Sequence, residues 1–403
     1  MTATYAGLVR NRGFRNLFVV QAGIMASSST SSLALGVVMF AQTSSPLLTA
    51  LAMFGGPLIA FGASYFLLSW SDRVPPRIGL ALTATALLVT DLLQAIPDLP
   101  WPVRFVLLAI PWITNSATSG SKWLILQSVV GADDYLFGRS TLNIAVSVTQ
   151  IAGYGAGGTL LHVCSPQSIF LVAAGVDAVI VCLTLIGLPH VPPTSTTGSG
   201  HGERMVTQTR RTNRVLLRSV VTRPIYLSLW IPNGLIVGCE ALFVPFAGNS
   251  SGYLYMAGAA GMLSGDVIVG RFVAARRRDS LIWPLRTLIA APYLVFLLSP
   301  SFTPAIMVVF VASIGYAASL PLQDRLIRNT DPAARGQTLG LHTTGMLIFQ
   351  GVGAALAGGV ASVLEPSIAI GLMGCASLIV TLSLTRGLRR SRMPVEAAAV
   401  PAR

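Results

Sequence analysis

The sequence predicts an all-α integral membrane protein with twelve transmembrane helices in two six-helix bundles, and three observations carry that expectation. Hydrophobic residues make up 53% of the 403 positions and charged residues only 10%, against about 25% charged in an ordinary soluble domain. Mean hydropathy is +0.70. Apolar runs near the roughly 20 residues that cross a bilayer recur from one end of the chain to the other, with short polar gaps between them.

Twelve such runs can be placed, numbered here as spans. Spans 1 to 4 cover about 14–42, 46–69, 77–97 and 102–125, and spans 5 to 8 about 139–162, 168–189, 225–247 and 252–272. Spans 9 to 12 cover about 281–299, 303–322, 337–362 and 367–385. Span 1 follows Arg10, Arg12 and Arg15 like the apolar core of a signal peptide, but it is too long for one and lacks a clear cleavage site, so it reads as a retained helix.

A net charge of +13 with a pI near 10.5 raises the question of a nucleic-acid partner. The positions of the basic residues answer it. All but three of the 27 Lys and Arg fall at the amino end, in the gaps after spans 2, 4, 6, 8 and 10, or in the carboxyl tail. The other three, Arg104, Lys122 and Arg286, lie within spans. That segregation is the positive-inside pattern of a multi-pass cell-membrane protein with both termini cytoplasmic, and an odd number of spans would scramble it. The expected partners are therefore the lipid bilayer, a small-molecule substrate and protons, with no nucleic acid, and the expected state is a monomer.

The longest gap, Val191 to Arg223, opens with "VPPTSTTGSGHGE" and continues into "RRTNRVLLR", a flexible linker followed by a basic stretch. It divides the chain into an N-terminal bundle (1–190), the linker (191–223), a C-terminal bundle (224–386) and a cytoplasmic tail (387–403). The basic stretch reads as an orientation signal in contact with the lipid surface. An internal repeat supports the division. "GRSTLNIAVSVTQIAGYGAGG" at 138–158 resembles "RGQTLGLHTTGMLIFQGVGAALAGG" at 335–359, and Gln150, Gly153 and Gly158 match Gln350, Gly353 and Gly358 at a constant offset of 200. The four cysteines and four histidines show neither a CxxC pair nor a ligand spacing, so no metal, cofactor or disulfide framework is expected.

Twelve spans, a basic central linker and a two-fold repeat together resemble the major facilitator superfamily over about residues 10–392. Two local patterns sharpen the likeness. After span 2, "LSWSDRVPPR" keeps Asp72, Arg73 and Arg77 of the family's gating turn, with Leu68, Pro75 and Pro76 where the family carries Gly, Gly and a basic residue. Asp72 and Arg73 can clamp a tight turn by charge-assisted hydrogen bonds. In span 5, "TQIAGYGAGG" keeps Gly153, Gly157 and Gly158 of the drug-exporter branch, with Tyr154 in place of its proline. Those glycines serve either close helix packing or an antiporter-specific role. The segments "GSKWLILQSVVGADDYLFGRS" and "IFLVAAGVDA" look like the branch of siderophore and macrolide exporters, and export is what that likeness implies.

In facilitators of this fold, spans 1, 4, 7 and 10 line the central cavity. On those spans the sequence offers Gln21 and Ser29, the latter within "SSSTSS", then Asn115 and Lys122, then Asn233 within "PNG", and Tyr316 within "SIGYAAS". These are the expected cavity-lining residues. Serine runs also satisfy themselves on the preceding turn, and Lys122 can snorkel to the cytoplasmic side. Pro232 to Gly234 should weaken span 7, as a hinge or as a plain kink.

Charges at depth cost about 2.5–3.5 kcal/mol each near a helix centre, so each needs a partner or water. Asp91 and Arg104 sit on spans joined by a short turn and are expected to form a structural ion pair. Asp266 and Arg286 read as architectural, with Asp266 and Arg271 as an imperfect second copy of the turn clamp. Glu240 differs, lying roughly 10 Å from the outer end of span 7 at 1.5 Å per residue and beyond reach of Lys122. A carboxyl stripped of water there holds its proton until water or a cation reaches it, which is what a proton-coupling group needs. A permanently protonated Glu240 that hydrogen-bonds a neighbouring span is the other reading. Asp177 is the second coupling candidate, although span 6 is peripheral in this fold and a structural role comes first.

The function expected is secondary active transport, as proton-coupled efflux of a small organic molecule such as a drug or secondary metabolite, by alternating access. An uptake symporter or facilitator of the same fold is the alternative, followed by a non-transporting membrane receptor. No nucleophile, acid–base or metal constellation converges on any loop, so an enzyme is not expected.

Overall fold

A computed structural model describes residues 5–67, 74–118, 120–192, 211–331 and 334–390, and among them all regular structure is helical. Among the described residues, nine helices are long and apolar enough to cross a membrane, ten if one bent pair counts as a single span. The run Thr222–Phe272 that counts once contains spans 7 and 8, and Trp101–Thr118, span 4, carries Arg104 and a polar end. Each of the twelve expected spans is thus present as a helix.

Span 1 is Arg12–Thr43, opened by Asn11, whose side-chain oxygen accepts from the backbone N–H of Gly13 and Phe14. It closes on Ser44 at φ 49°. Span 2 is Pro46–Phe54 with Gly56–Leu67, bent by 53° at the break. Pro57 cannot donate to the carbonyl four residues back, and a Cβ on Gly56 would fall on the Trp112 indole, so the sequence bends here and cannot be straightened by substitution. Span 3 is Pro76–Gln94 and span 6 is Pro166–Gly187.

Spans 4 and 5 differ from expectation. In place of a loop over 126–138, one helical run covers Ser121–Val163 and is broken only at Gly131, with φ 74° and ψ 176°, backbone geometry that glycine supplies most readily. Apolarity marks membrane depth and not helix length, so polar helix beyond the bilayer was invisible to the hydropathy reading.

Span 7 is Thr222–Ala241 continued by Phe243–Ala247, with Pro232 inside, and span 8 is Ser251–Val267 ending in a π turn, Ile268–Phe272. Span 9 runs from Ile282–Leu288 into a 3-10 stretch, Ala291–Leu298. Span 10 is Phe302–Ile314 and Ser319–Arg328 joined by a 3-10 turn, Gly315–Ala318. Pro321 removes the donor to Ala317, and Gly315 lies against the backbone of Leu285 and Ile289, which fixes that turn. Spans 11 and 12 are Arg335–Ala361 and Pro366–Arg390.

The chain forms two compact units, Met1–Thr197 with Ala247–Met256, and Gly198–Phe246 with Ala257–Arg403. In the first, Phe14, Leu17, Leu80, Ile125 and Leu126 belong to one buried cluster, and in the second Ile225, Tyr226, Leu229, Leu322 and Leu326 do so. The basic linker stretch is helical at 211–218, and its Leu216 joins the second cluster. Outward side chains such as Val106, Val179, Met307 and Ile379 are exposed, as a lipid-facing surface requires.

Within lipid, apolar side chains gain little from leaving one hydrocarbon for another, so close backbone approach has to hold helices together. In the first unit span 5 closes on span 1: a Cβ on Gly153 would meet Ala26 O at 3.0 Å, and one on Gly157 would meet Thr30 Cα at 3.4 Å. Thr30 Oγ1 donates to Gly153 O at 3.1 Å across this seam. Gly158 faces Gly252 instead, with a Cβ reaching Gly252 Cα at 2.9 Å. In the second unit span 11 closes on span 7, where Gly353 lies against the Gly234 carbonyl and Gly238 against Gly353 O. Of the pairs at offset 200, Gly153 and Gly353 thus occupy equivalent helix seams.

Candidate functional site

Span 7 carries the polar site of the C-terminal unit, and Pro232 shapes it. Having no N–H, Pro232 leaves the Ser228 carbonyl without its helical donor, and the Arg286 guanidinium supplies one, donating to Ser228 O at 2.6 Å and to Thr381 Oγ1 at 3.2 Å. This explains why an arginine is kept buried at 4% exposure. Ser377 Oγ donates to Pro232 O at 3.1 Å and holds the other side of the kink. Arg286 thus meets a released carbonyl and not an acid.

Two turns further on, Glu240 is half-buried, and the Tyr316 hydroxyl donates to its Oε1 at 3.0 Å. The 3-10 turn Gly315–Ala318 presents Tyr316 at that depth. Cys239, beside Glu240, turns the other way and donates to Ile370 O at 3.4 Å. Tyr316 and Asn233 also line a cavity of about 40 Å³ together with Ser228, Arg286 and His342. Two expected cavity residues, Asn233 and Tyr316, therefore line one cavity, and Tyr316 is also the hydrogen-bond partner of the coupling candidate. Sequence reading missed Ser228, Arg286 and His342 as parts of this site. Only Ser228 carried a signal, being four residues before Pro232.

The buried acids of the N-terminal unit are arranged differently. Asp91 and Asp177 are 4% and 0% exposed and lie within hydrogen-bonding reach of each other. Ser31 Oγ donates to Asp91 Oδ2 at 2.7 Å. Neither Asp177 oxygen receives a well-formed hydrogen bond from a protein donor among the described residues, although the Ser27 hydroxyl lies near it. Adjacent carboxyls cannot both ionise in a buried site, and one shared proton turns the clash into a hydrogen bond.

The expected Asp91–Arg104 ion pair is not formed. Arg104 donates to Gln94 O and Gln94 Oε1, both at 2.9 Å, and to Leu99 O at 3.2 Å. Those carbonyls lie at the end of span 3 and just beyond it without helical donors, so they take the guanidinium, while Asp91 lies nearly a turn deeper and faces span 1. The expected Asp266–Arg271 clamp is also absent among the described residues. Both side chains are exposed, and Arg278 serves the π turn instead, donating to Gly270 O at 2.6 Å and Val273 O at 3.1 Å.

Other expected site residues are dispersed. Gln21 and Ser29 are buried on span 1, with the Ser29 hydroxyl on Met25 Sδ at 3.7 Å. Asn115 is exposed, and Lys122 is half-buried with Nζ 4.9 Å from the Trp123 ring centroid. Of the gating turn, Asp72 and Arg73 lie outside the described residues, and Arg77 sits half-buried in the first turn of span 3.

No family model matches the sequence, and no curated protein matches it. Solved structures do. A POT family transporter in complex with 5-aminolevulinic acid superposes with a TM-score of 0.76 at 12% identity, over 97% of this chain and 98% of that one. The nucleoside transporter NupG gives 0.75 at 12% identity over 93% and 99%, and a D-xylose-proton symporter gives 0.70 at 13% over 93% and 97%. At these identities the likeness shows the fold alone: the chain has the twelve-helix major facilitator fold.

Proposed function

We propose that the protein is a proton-coupled secondary transporter of a small organic molecule, working by alternating access. The observation that carries this reading is Glu240 at membrane depth, hydrogen-bonded to Tyr316, which lines a small cavity together with Ser228, Asn233, Arg286 and His342. A carboxyl in that setting loses or gains a proton only as its surroundings change, and this ties protonation to conformation. Asp177, paired with Asp91, is the second coupling candidate. The face bearing Arg277, Arg278, Arg325 and Arg328 is assigned to the cytoplasm by the positive-inside rule.

Export is the direction favoured by the resemblance of spans 4 to 6 to drug, siderophore and macrolide exporters. Inward symport is the second reading, favoured by the D-xylose-proton symporter among the structures of similar fold. A growth screen of a deletion strain against a compound panel identifies the substrate, and counterflow in everted and right-side-out vesicles then tests both claims. Gradient-driven movement out of cells supports export, accumulation inside intact cells supports symport, and transport indifferent to the pH gradient contradicts coupling altogether.

A further inference from the structure

The 40 Å³ cavity beside Tyr316 has a neighbour. A second space of about 290 Å³ is lined again by Ser228 and Arg286 and continues to Thr381, Thr385 and Arg325. Ser228 and Arg286 therefore stand as a thin partition between the two. Arg325 belongs to the basic end of span 10, where it bonds Asp279 at 2.7 Å, so the second space leads toward the face that carries the basic gaps.

Three polar atoms on the wall of the first cavity, Ser228 Oγ, Asn233 Oδ1 and His342 Nδ1, are buried with no protein hydrogen-bond partner among the described residues. Buried polar atoms are seldom left unpaired, and water fills a space that offers it partners. At roughly 10–15 Å³ of such volume per water, the cavity has room for about three. Tyr316 connects this space to Glu240, because it is one of the lining residues and its hydroxyl donates to Glu240 Oε1.

We propose that the C-terminal unit contains its own hydrated proton path, running from the basic end through the second cavity, past Ser228 and Arg286, through water held by Asn233 and His342, to Tyr316 and Glu240. It carries protons and not the organic substrate, since neither the partition nor the 40 Å³ space admits more than water. Delivery balances at each step: Tyr316 gives its hydroxyl proton to the Glu240 carboxylate and takes one from cavity water. That water is reprotonated from His342 or from the second cavity. Arg286, fixed on the Ser228 carbonyl, places a positive charge at the narrowest point, which holds hydronium back and limits idle leakage. Of the other titratable groups facing the path, Arg325 bonds Asp279, Cys239 the Ile370 carbonyl and Tyr226 the Thr338 carbonyl, while buried Tyr293 lies close enough to Tyr316 to act on it electrostatically.

The proposal rests on Glu240 titrating, and the test separates the two claims. Time-resolved infrared spectroscopy on the full-length protein in lipid, after photorelease of protons at the basic face, tracks the carboxyl band that is missing in Glu240→Gln. The cavity-filling variants Asn233→Leu and His342→Phe should slow that band's response by about tenfold or more, a barrier change of about 1.4 kcal/mol. An unchanged rate in both overturns the path and leaves coupling at Glu240 intact. A Glu240 band that never responds to pH in the parent overturns coupling and the path with it. Should the filled variants fail to fold, Ser228→Cys in a background with Cys164, Cys182, Cys239 and Cys375 replaced gives a second readout. A small charged thiosulfonate added at the basic face should label it about tenfold faster than Ala312→Cys, a position of 0% exposure, and equal rates overturn the path.

Discussion

Span 5 closes on span 1 at Gly153 and Gly157 in the N-terminal unit, and span 11 closes on span 7 at Gly353 in the C-terminal unit, so both bundles are built around the same kind of glycine seam. The acids near those seams are not alike. Asp91 and Asp177 face each other, with Ser31 donating to Asp91. Glu240 instead meets a tyrosine that lines a small cavity, as Arg286 also does. Packing repeats because lipid leaves helices little besides close backbone contact to hold them together. The polar groups are under no such constraint and differ: one unit pairs acid with acid, the other acid with tyrosine.

The seam comparison can be broken first. A Cβ at Gly353 overlaps the Gly234 carbonyl, whereas at Gly153 the nearest atoms stand at 2.9 and 3.0 Å. Gly353→Ala should therefore destabilise the detergent-purified protein by about 1–3 kcal/mol or more, and Gly153→Ala by clearly less, read as thermal midpoints. Equal losses would mean that the C-terminal seam is no tighter than the other.

Next comes the kink that shapes the C-terminal site. Arg286→Met strands the Ser228 carbonyl and should cost about 1–3 kcal/mol. In the Pro232→Ala background the new backbone N–H supplies the missing donor, so the same change should cost less, and a double-mutant cycle measures the difference. Additive losses would separate Arg286 from the proline.

Much of this was legible in the sequence, for reasons that lie in the bilayer. Lipid demands apolar runs and internally satisfied backbone, so twelve spans and the repeat of Gly153 at Gly353 could be read directly. What failed depended on how a helix is rotated. Asp91 and Arg104 are near in sequence across a short turn, yet Asp91 points to Ser31 and Arg104 to the carbonyls of Gln94 and Leu99. The match of Tyr316 to Glu240 depends on a 3-10 turn set by Gly315 and Pro321, which hydropathy does not register. Pro232 did announce a free carbonyl at Ser228, but nothing local said that an arginine from span 9 would take it.

The smallest effect belongs to the closed acid pair. Asp177→Asn supplies a permanent donor to Asp91 in place of the shared proton, so stability should change by no more than about 1 kcal/mol, and gradient-driven transport should persist in proteoliposomes. Loss of coupling in that variant would move the titrating site into the N-terminal unit and reverse the comparison.

Glu240→Gln is the most direct test. The amide keeps the size of the side chain and still accepts from Tyr316, but it cannot release a proton. In proteoliposomes loaded with the substrate found by the growth screen, the variant should fold, bind and exchange substrate while losing accumulation driven by a pH gradient. Full gradient-driven accumulation in Glu240→Gln would contradict the account.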